Sequence, residues 1–439
     1  MKVSYLMLFG GFFIGISSIN AQDKTNLKLE EAIQLAWTKS NEISLASTKV
    51  ETKKQELRSA KNTQYPDLKL SAQYLQLTEP TLHLDIDAGS SSFPVPDRIA
   101  IGQASLGVPI FAGFKIQNEI KLQDNLFQAE NAMASKTKED VAMRVINYYA
   151  NLYKTQRTIE LLKENQKSAD QRVTDFIALE KNGIIPRNDL LKAQLQVSKI
   201  QLSLDEALNN EKVINYYLVT LLKLPTETKL AVNEGDLINF STNSVPTDEQ
   251  PAFQNRKDLE ALQYQEKASQ NNIKIAKGNY YPNLALTGGY AALNLNNIMT
   301  LENAMFVGVG LTYDVSGIIK NSTQVKIAES KALEVKNTEE LLKDNIRVQV
   351  QQAVTNYDLA IKQSAVYNQA VEQATENYRI VKDKYENGLS DTNDLLEADV
   401  EQLKSKIAET IAKVDIIQKY YELLSATGQL SQTFNISKI

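Results

Sequence analysis

Ala60-Lys61-Asn62-Thr63-Gln64-Tyr65-Pro66-Asp67-Leu68 returns later in the chain as Ala276-Lys277-Gly278-Asn279-Tyr280-Tyr281-Pro282-Asn283-Leu284. A second stretch does the same. Asn182-Gly183 followed by Asn188-Asp189-Leu190-Leu191 and Ala193 becomes Asn387-Gly388, Asn393-Asp394-Leu395-Leu396 and Ala398. The copies keep their order and lie about 205 to 216 residues apart, so one large unit is duplicated. A unit this long is too large for a solenoid repeat and must be half of a pseudo-symmetric whole.

Within each copy the hydrophobic period changes at the Tyr-Pro pair. Helical patterning over Leu29–Ser40 and Asn41–Gln64 stops at Pro66, which lacks a donor and restricts the residue before it. Leu68, Leu70, Ala72 and Tyr74 then alternate with polar residues, the period of a strand with one apolar side. A loop over 79–98 leads to a strand from about Ile99 to Phe111, and a long helix follows to about Lys181. The absence of Pro and Gly along that helix predicts a rod of about 100 Å. Gly183 suits the left-handed cap that ends it, and Asn188 is placed to cap a return helix to about Leu224.

The second copy repeats the plan. A helix over Lys257–Asn279 precedes a strand from Leu284. A loop at Asn294–Asn303 is expected next, then a strand bearing Met305, Val307, Val309, Leu311 and Tyr313 on one face. A second long helix, opened by Gly317, runs to Asn387. Gly388 turns the chain into a last helix from about Thr392 to Thr427. Two seams have coiled-coil spacing: Leu162, Gln166, Ala169, Val173 and Phe176, and Tyr367, Val371, Ala374, Tyr378, Val381 and Tyr385.

The organisation read from this is a signal peptide over 1–21, a first repeat over 22–224 and a connector over 225–256. The second repeat covers 257–428, with its hairpin near 284–315, and a tail covers 429–439. Lys2, the short apolar run from Leu6 to Ile16 and the small residue Ala21 carry the signal reading.

Composition narrows the function. The chain has no Cys, so disulfides, thiolate metal sites and a lipid-bearing cysteine are excluded. Its single histidine, His83, falls in a polar loop and reads as a solvated residue, leaving triad and zinc chemistry without their usual groups. No phosphate-binding glycine loop is present, so no cofactor is expected. A net charge of −5 argues against nucleic acid. No later stretch approaches the length of a membrane helix.

The fold class is therefore mainly α with a small β part. Four strands with one apolar face cannot close a barrel alone, and their edges need partners. Three copies would supply about 12 strands, an even number within the range of outer-membrane barrels. Tyr65, Tyr74, Phe93, Phe111, Tyr280, Tyr281, Tyr290 and Tyr313 lie where an aromatic belt would sit. The rival reading is a soluble periplasmic coiled-coil scaffold, which would not require the same strand alternation in both copies.

The arrangement resembles the outer-membrane efflux protein family, the TolC-like trimeric channel-tunnels. The resemblance rests on the duplicated unit, on Tyr-Pro before each first strand, and on two motifs. Gly107-Val108-Pro109-Ile110-Phe111-Ala112-Gly113 enters the first long helix. Lys384-Tyr385-Glu386-Asn387-Gly388 precedes Asp394-Leu395-Leu396-Glu397-Ala398 at the second turn.

The resemblance implies a homotrimer whose coiled-coil tunnel carries a 12-stranded barrel in outer-membrane lipid. It also implies a periplasmic adaptor and an inner-membrane RND or ABC pump as partners, and a passive duct rather than an enzyme. At the tip turns Gly183 and Gly388, it implies that Asp394 and Glu397 constrict the entrance and that Tyr385 and Asp189 form a latch. The family's arginine two residues after the turn glycine is Ser390 here, with Arg187 as the candidate substitute.

The residues themselves leave alternatives open. Acids in a first helical turn also complement the macrodipole. Against that, the first-copy counterparts of Asp394, Glu397 and Glu401 are Asp189, Lys192 and Gln196, so only one copy is acidic throughout. Tyr385 also continues a coiled-coil seam.

Overall fold

The computed structural model describes residues 25–78, 95–233, 235, 249–296 and 298–434. The expected signal segment, His83, Phe93 and most of the 79–98 loop lie outside these residues, as does part of the 225–256 connector.

The elements run β1 (Thr25–Asn26), α1 (Leu29–Lys39), α2 (Asn41–Asn62), β2 (Asp67–Gln76), β3 (Arg98–Ala112), α3 (Lys115–Lys181) and α4 (Arg187–Leu221). They continue with β4 (Leu230–Ala231), α5 (Gln250–Asn255), α6 (Lys257–Gly278), β5 (Asn283–Leu295), β6 (Met299–Thr312), α7 (Val315–Glu386), α8 (Thr392–Ala426) and α9 (Leu430–Thr433). The long helices α3 and α7 have 67 and 72 residues, and α4 and α8 have 35 each. Helices this long are far beyond the usual three turns, as the scarcity of Gly and Pro requires.

The chain divides into two compact units. One contains residues 37–143, 242–362 and 419–439. Its sheet has the order β2-β3-β5-β6 and every pairing is antiparallel, so the two hairpins join through β3 and β5. Strands β2 and β6 are the edges. Leu70 on β2 and Val307 on β6 are each 80% exposed, and Met305, Val309 and Leu311 share the open face of β6. Beside the sheet, Gly113 (φ +62°) lets the chain leave β3 against the end of α6. A Cβ there would lie 2.2 Å from the Gly278 carbonyl oxygen. The second copy makes this junction differently. Asp314 accepts hydrogen bonds from Ser316 Oγ and the Gly317 amide at the start of α7.

The other unit contains residues 144–241 and 363–418 together with the N-terminal residues up to Ala36. Its core includes Leu29, Ile33, Ile146, Tyr149, Leu152, Leu218 and Leu230. Tyr149 Oη donates to the Leu27 carbonyl at 2.8 Å. The short parallel pair of β1 with β4 anchors the start of the connector here, a contact that no hydrophobic period announces.

Four expectations change. The loop expected at 294–303 is largely strand, because β5 runs to Leu295 and β6 starts at Met299. Its polar residues belong to the sheet: Asn294 Nδ2 donates to Thr300 Oγ1, and the Asn296 amide donates to the Arg98 carbonyl. Asn188 does not cap α4. The cap position is Pro186, with no side-chain cap, and Asn188 Nδ2 donates to Asp189 instead. The seam on α7 packs from Val371 onward, whereas Tyr367 is exposed. The long helix starts at Val315 rather than at Gly317, so the second hairpin ends at Thr312.

Both copies close their last helix with the same backbone. Lys223 (φ +55°) and Gly428 (φ +71°) take the left-handed conformation, and the amides that follow reach back to the Val219 and Leu424 carbonyls. The duplication is thus visible even where the residue types differ.

Candidate entrance site at the helix turns

Both turns end their helix in a Schellman motif. At the first, the amides of Gly183 and Ile184 donate to the carbonyls of Glu180 and Leu179, each at 2.9 Å. At the second, those of Gly388 and Leu389 donate to Tyr385 and Lys384 at 3.0 and 2.8 Å. The glycines have φ of +68° and +71°, which a side chain would disfavour.

The four helices meet around the turns in one apolar cluster. Phe176, Leu190, Ala193 and Leu395 are buried, with Val173, Tyr378, Val381 and Tyr385 packed against them. These are the seam positions of α3 and α7 meeting the first turns of α4 and α8. Tyr385 stacks on Phe176 with ring centroids 5.8 Å apart. Its hydroxyl is buried and has no hydrogen-bond partner among the described residues.

Asp189 is held elsewhere. Its Oδ2 accepts from Thr392 Oγ1 at 2.8 Å, and Lys192 lies 3.5 Å from its Oδ1. The Thr392 bond ties the start of α8 to the start of α4. Within one chain, therefore, no hydrogen bond joins Tyr385 to Asp189. Arg187 pairs loosely with Glu180 at 3.6 Å. Ser390 Oγ donates to Asp394 Oδ2 at 2.8 Å, so the serine at the expected arginine position holds the Asp394 carboxylate directly.

The acids divide their work. Asp391, just before α8, accepts the Asp394 amide at 3.0 Å and so supplies the helix cap. Asp394, Glu397 and Glu401 are exposed on the same helix. Capping is complete without the last two.

One constellation was missed in the sequence. Arg172 Nη1 lies 3.0 Å from Asp399 Oδ2, and Arg172 Nη2 donates to Tyr378 Oη at 3.1 Å. Asn165 Nδ2 donates to Asp399 Oδ1 at 3.2 Å. The Asp399 side chain is 3% exposed and that of Arg172 is 10%. Burial opposes the charge on Arg172, but the Asp399 carboxylate and Tyr378 outweigh it and hold the guanidinium above its ordinary range. The available signal was faint: a charged residue one position before seam residue Val173, and an acid one position after Ala398.

No group of three or more metal-ligating side chains occurs among the described residues. None of their helices is long and apolar enough to cross a membrane.

The duplicated strand–strand–long helix–turn–helix unit defines an architecture shared with solved outer-membrane proteins. The chain is similar to the outer membrane protein VceC of Vibrio cholerae, with a TM-score of 0.79 at 16% identity over 91% of this chain and 96% of that one. It is also similar to the open state of the MtrE outer membrane channel of Neisseria gonorrhoeae, with a TM-score of 0.76 at 16% identity over 92% and 89%. In sequence it is 20% identical to the outer membrane efflux protein BepC of Brucella suis over 325 residues, 73% of this chain and 70% of the relative.

Residues 250–429 match the family described as Outer membrane efflux protein. The matched segment covers the second copy, from α5 through α8 and the Gly428 turn.

Proposed function

We propose that three copies of this chain close a 12-stranded barrel and serve as the passive exit duct of a tripartite efflux or type I secretion machine. A periplasmic adaptor and an inner-membrane RND or ABC pump would supply contact and energy. The observation that carries the reading is the open sheet. In lipid an unsatisfied backbone group costs several kcal/mol, so edges β2 and β6 must pair with other copies. The soluble scaffold has no use for exposed Leu70, Val307 and Leu311 on a sheet of this kind.

Because the chain has no cysteine, one Cys placed in β2 and another in β6 give a clean test. Oxidation of the outer-membrane fraction is expected to yield covalent trimers. A folded monomer that needs no detergent would overturn the reading.

At the turns, Asp394 and Glu397 are the proposed constriction, supported by their exposure and by the absence of an acidic match at Lys192. Carboxylates gathered around a narrow axis attract cations, so the pore should be cation-selective and blocked by multivalent cations. Replacing both with Ala is expected to remove the block and keep the trimer. Unaltered selectivity would assign the acids to the helix end alone.

Tyr385 and Asp189 are the proposed latch. The Thr392–Asp189 bond supports a tie between the two turns, and Tyr385 stacks on Phe176 in the apolar cluster beside it. Tyr385→Phe with Asp189→Ala should raise conductance. Intact trimers with unchanged conductance would leave Tyr385 as a packing residue.

A further inference from the structure

The Arg172–Asp399 pair lies between two apolar layers. On α3, Leu162 and Ala169 belong to one cluster, with Leu403 and Ile407 of α8 packed against it. Phe176 of α3 and Leu395 of α8 belong to the other. Arg172 and Asp399 fall between these layers on both helices, with Tyr378 of α7 and Asn165 of α3 completing the polar layer.

Desolvation makes a buried ion pair a poor source of stability compared with apolar side chains of similar volume. Nor does the duplicated fold need one here. The counterparts of Arg172, Tyr378 and Asp399 in the other copy are Asn377, Val173 and Gln194, which cannot form an ion pair.

A polar layer in an otherwise apolar bundle is best suited to setting register, because slipping by one turn would bury each charge without its partner. Both proposed constriction residues, Asp394 and Glu397, sit within two turns of Asp399 on the same helix.

We infer that Arg172 is a positioning residue: through Asp399 it fixes the register of the acid-bearing start of α8 on α3. It thereby sets where the entrance carboxylates stand. The link to the entrance rests on the channel reading above, whereas the register claim does not.

The test uses the full-length, detergent-solubilised protein. Spin labels on cysteines placed at exposed Ile177 of α3 and exposed Asn393 of α8 report the spacing of the two helices. In the wild-type background a single narrow distance is expected. The variant Arg172→Met/Asp399→Leu removes both charges while keeping apolar volume. It should melt no lower than wild type, yet show a broadened or shifted distance and a several-fold larger current in planar bilayers. The charge swap Arg172→Asp/Asp399→Arg should restore the narrow distance.

An apolar variant with the wild-type distance overturns the inference. So does loss of folding in the apolar variant, since the pair would then serve stability. Absence of current from both wild-type and variant trimers, with the distance changed as expected, counts against the channel reading and leaves the register role standing.

Discussion

The two helix turns share a backbone and differ in what surrounds it. Gly183 and Gly388 close their helices with the same pair of hydrogen bonds and nearly the same φ. Beyond them, the first turn starts its return helix at Pro186 without a side-chain cap, whereas the second uses Asp391. The second also presents exposed acids and contributes Asp399 and Tyr378 to a buried polar layer. The difference teaches that backbone geometry is what the duplication conserved. Charge and hydrogen bonding are where the copies parted.

The largest expected effect breaks this contrast at the polar layer. Arg172→Met alone leaves Asp399 buried without its cation and should cost about 3–5 kcal/mol. The matching change at Asn377 should stay within about 0.5 kcal/mol, as surface substitutions do. Chemical unfolding of the solubilised protein measures both. Equal losses would show that the copies use these positions alike.

The next effect sharpens the contrast between the sheet-to-helix junctions. Gly113→Ala adds a Cβ at 2.2 Å from a carbonyl oxygen in a left-handed conformation. Overpacking and backbone strain together should cost about 3 kcal/mol. Gly317→Ala meets only the movable Asp314 side chain and should remain within about 1 kcal/mol of wild type. Trimer yield and unfolding midpoint distinguish the two.

The smallest effect concerns the caps. Asp391→Ala removes the bond to the Asp394 amide and should cost about 1 kcal/mol. Asn188→Ala should change stability by less than about 0.5 kcal/mol, because its side chain caps nothing. A similar cost at both positions would mean that the turns are equivalent after all.

Much of this protein was legible as period and punctuation. The change from period 3.6 to period 2 at Pro66 and Pro282, the 4-3 seams and the paired turn glycines are local properties, carried by residues close together in the chain. They suffice for the long helices, the four strands and the placement of Asp394 and Glu397 on an exposed face.

What they could not supply was pairing at a distance. That β3 joins β5, that Thr392 reaches Asp189 and that Arg172 finds Asp399 depend on residues some 200 positions apart. The Asn-rich stretch near 294 shows the same limit from the other side. Its composition reads as loop, but hydrogen bonds to a neighbouring strand carry those residues into the sheet.

The sequence by itself determined the duplication, the helix and strand types and the two turns, because backbone propensity and apolar spacing act over a few residues. Only the tertiary structure decided which charged side chains are buried together and which stay in water. That choice is made when helices from both copies pack, and a buried charge survives only where packing brings it a partner.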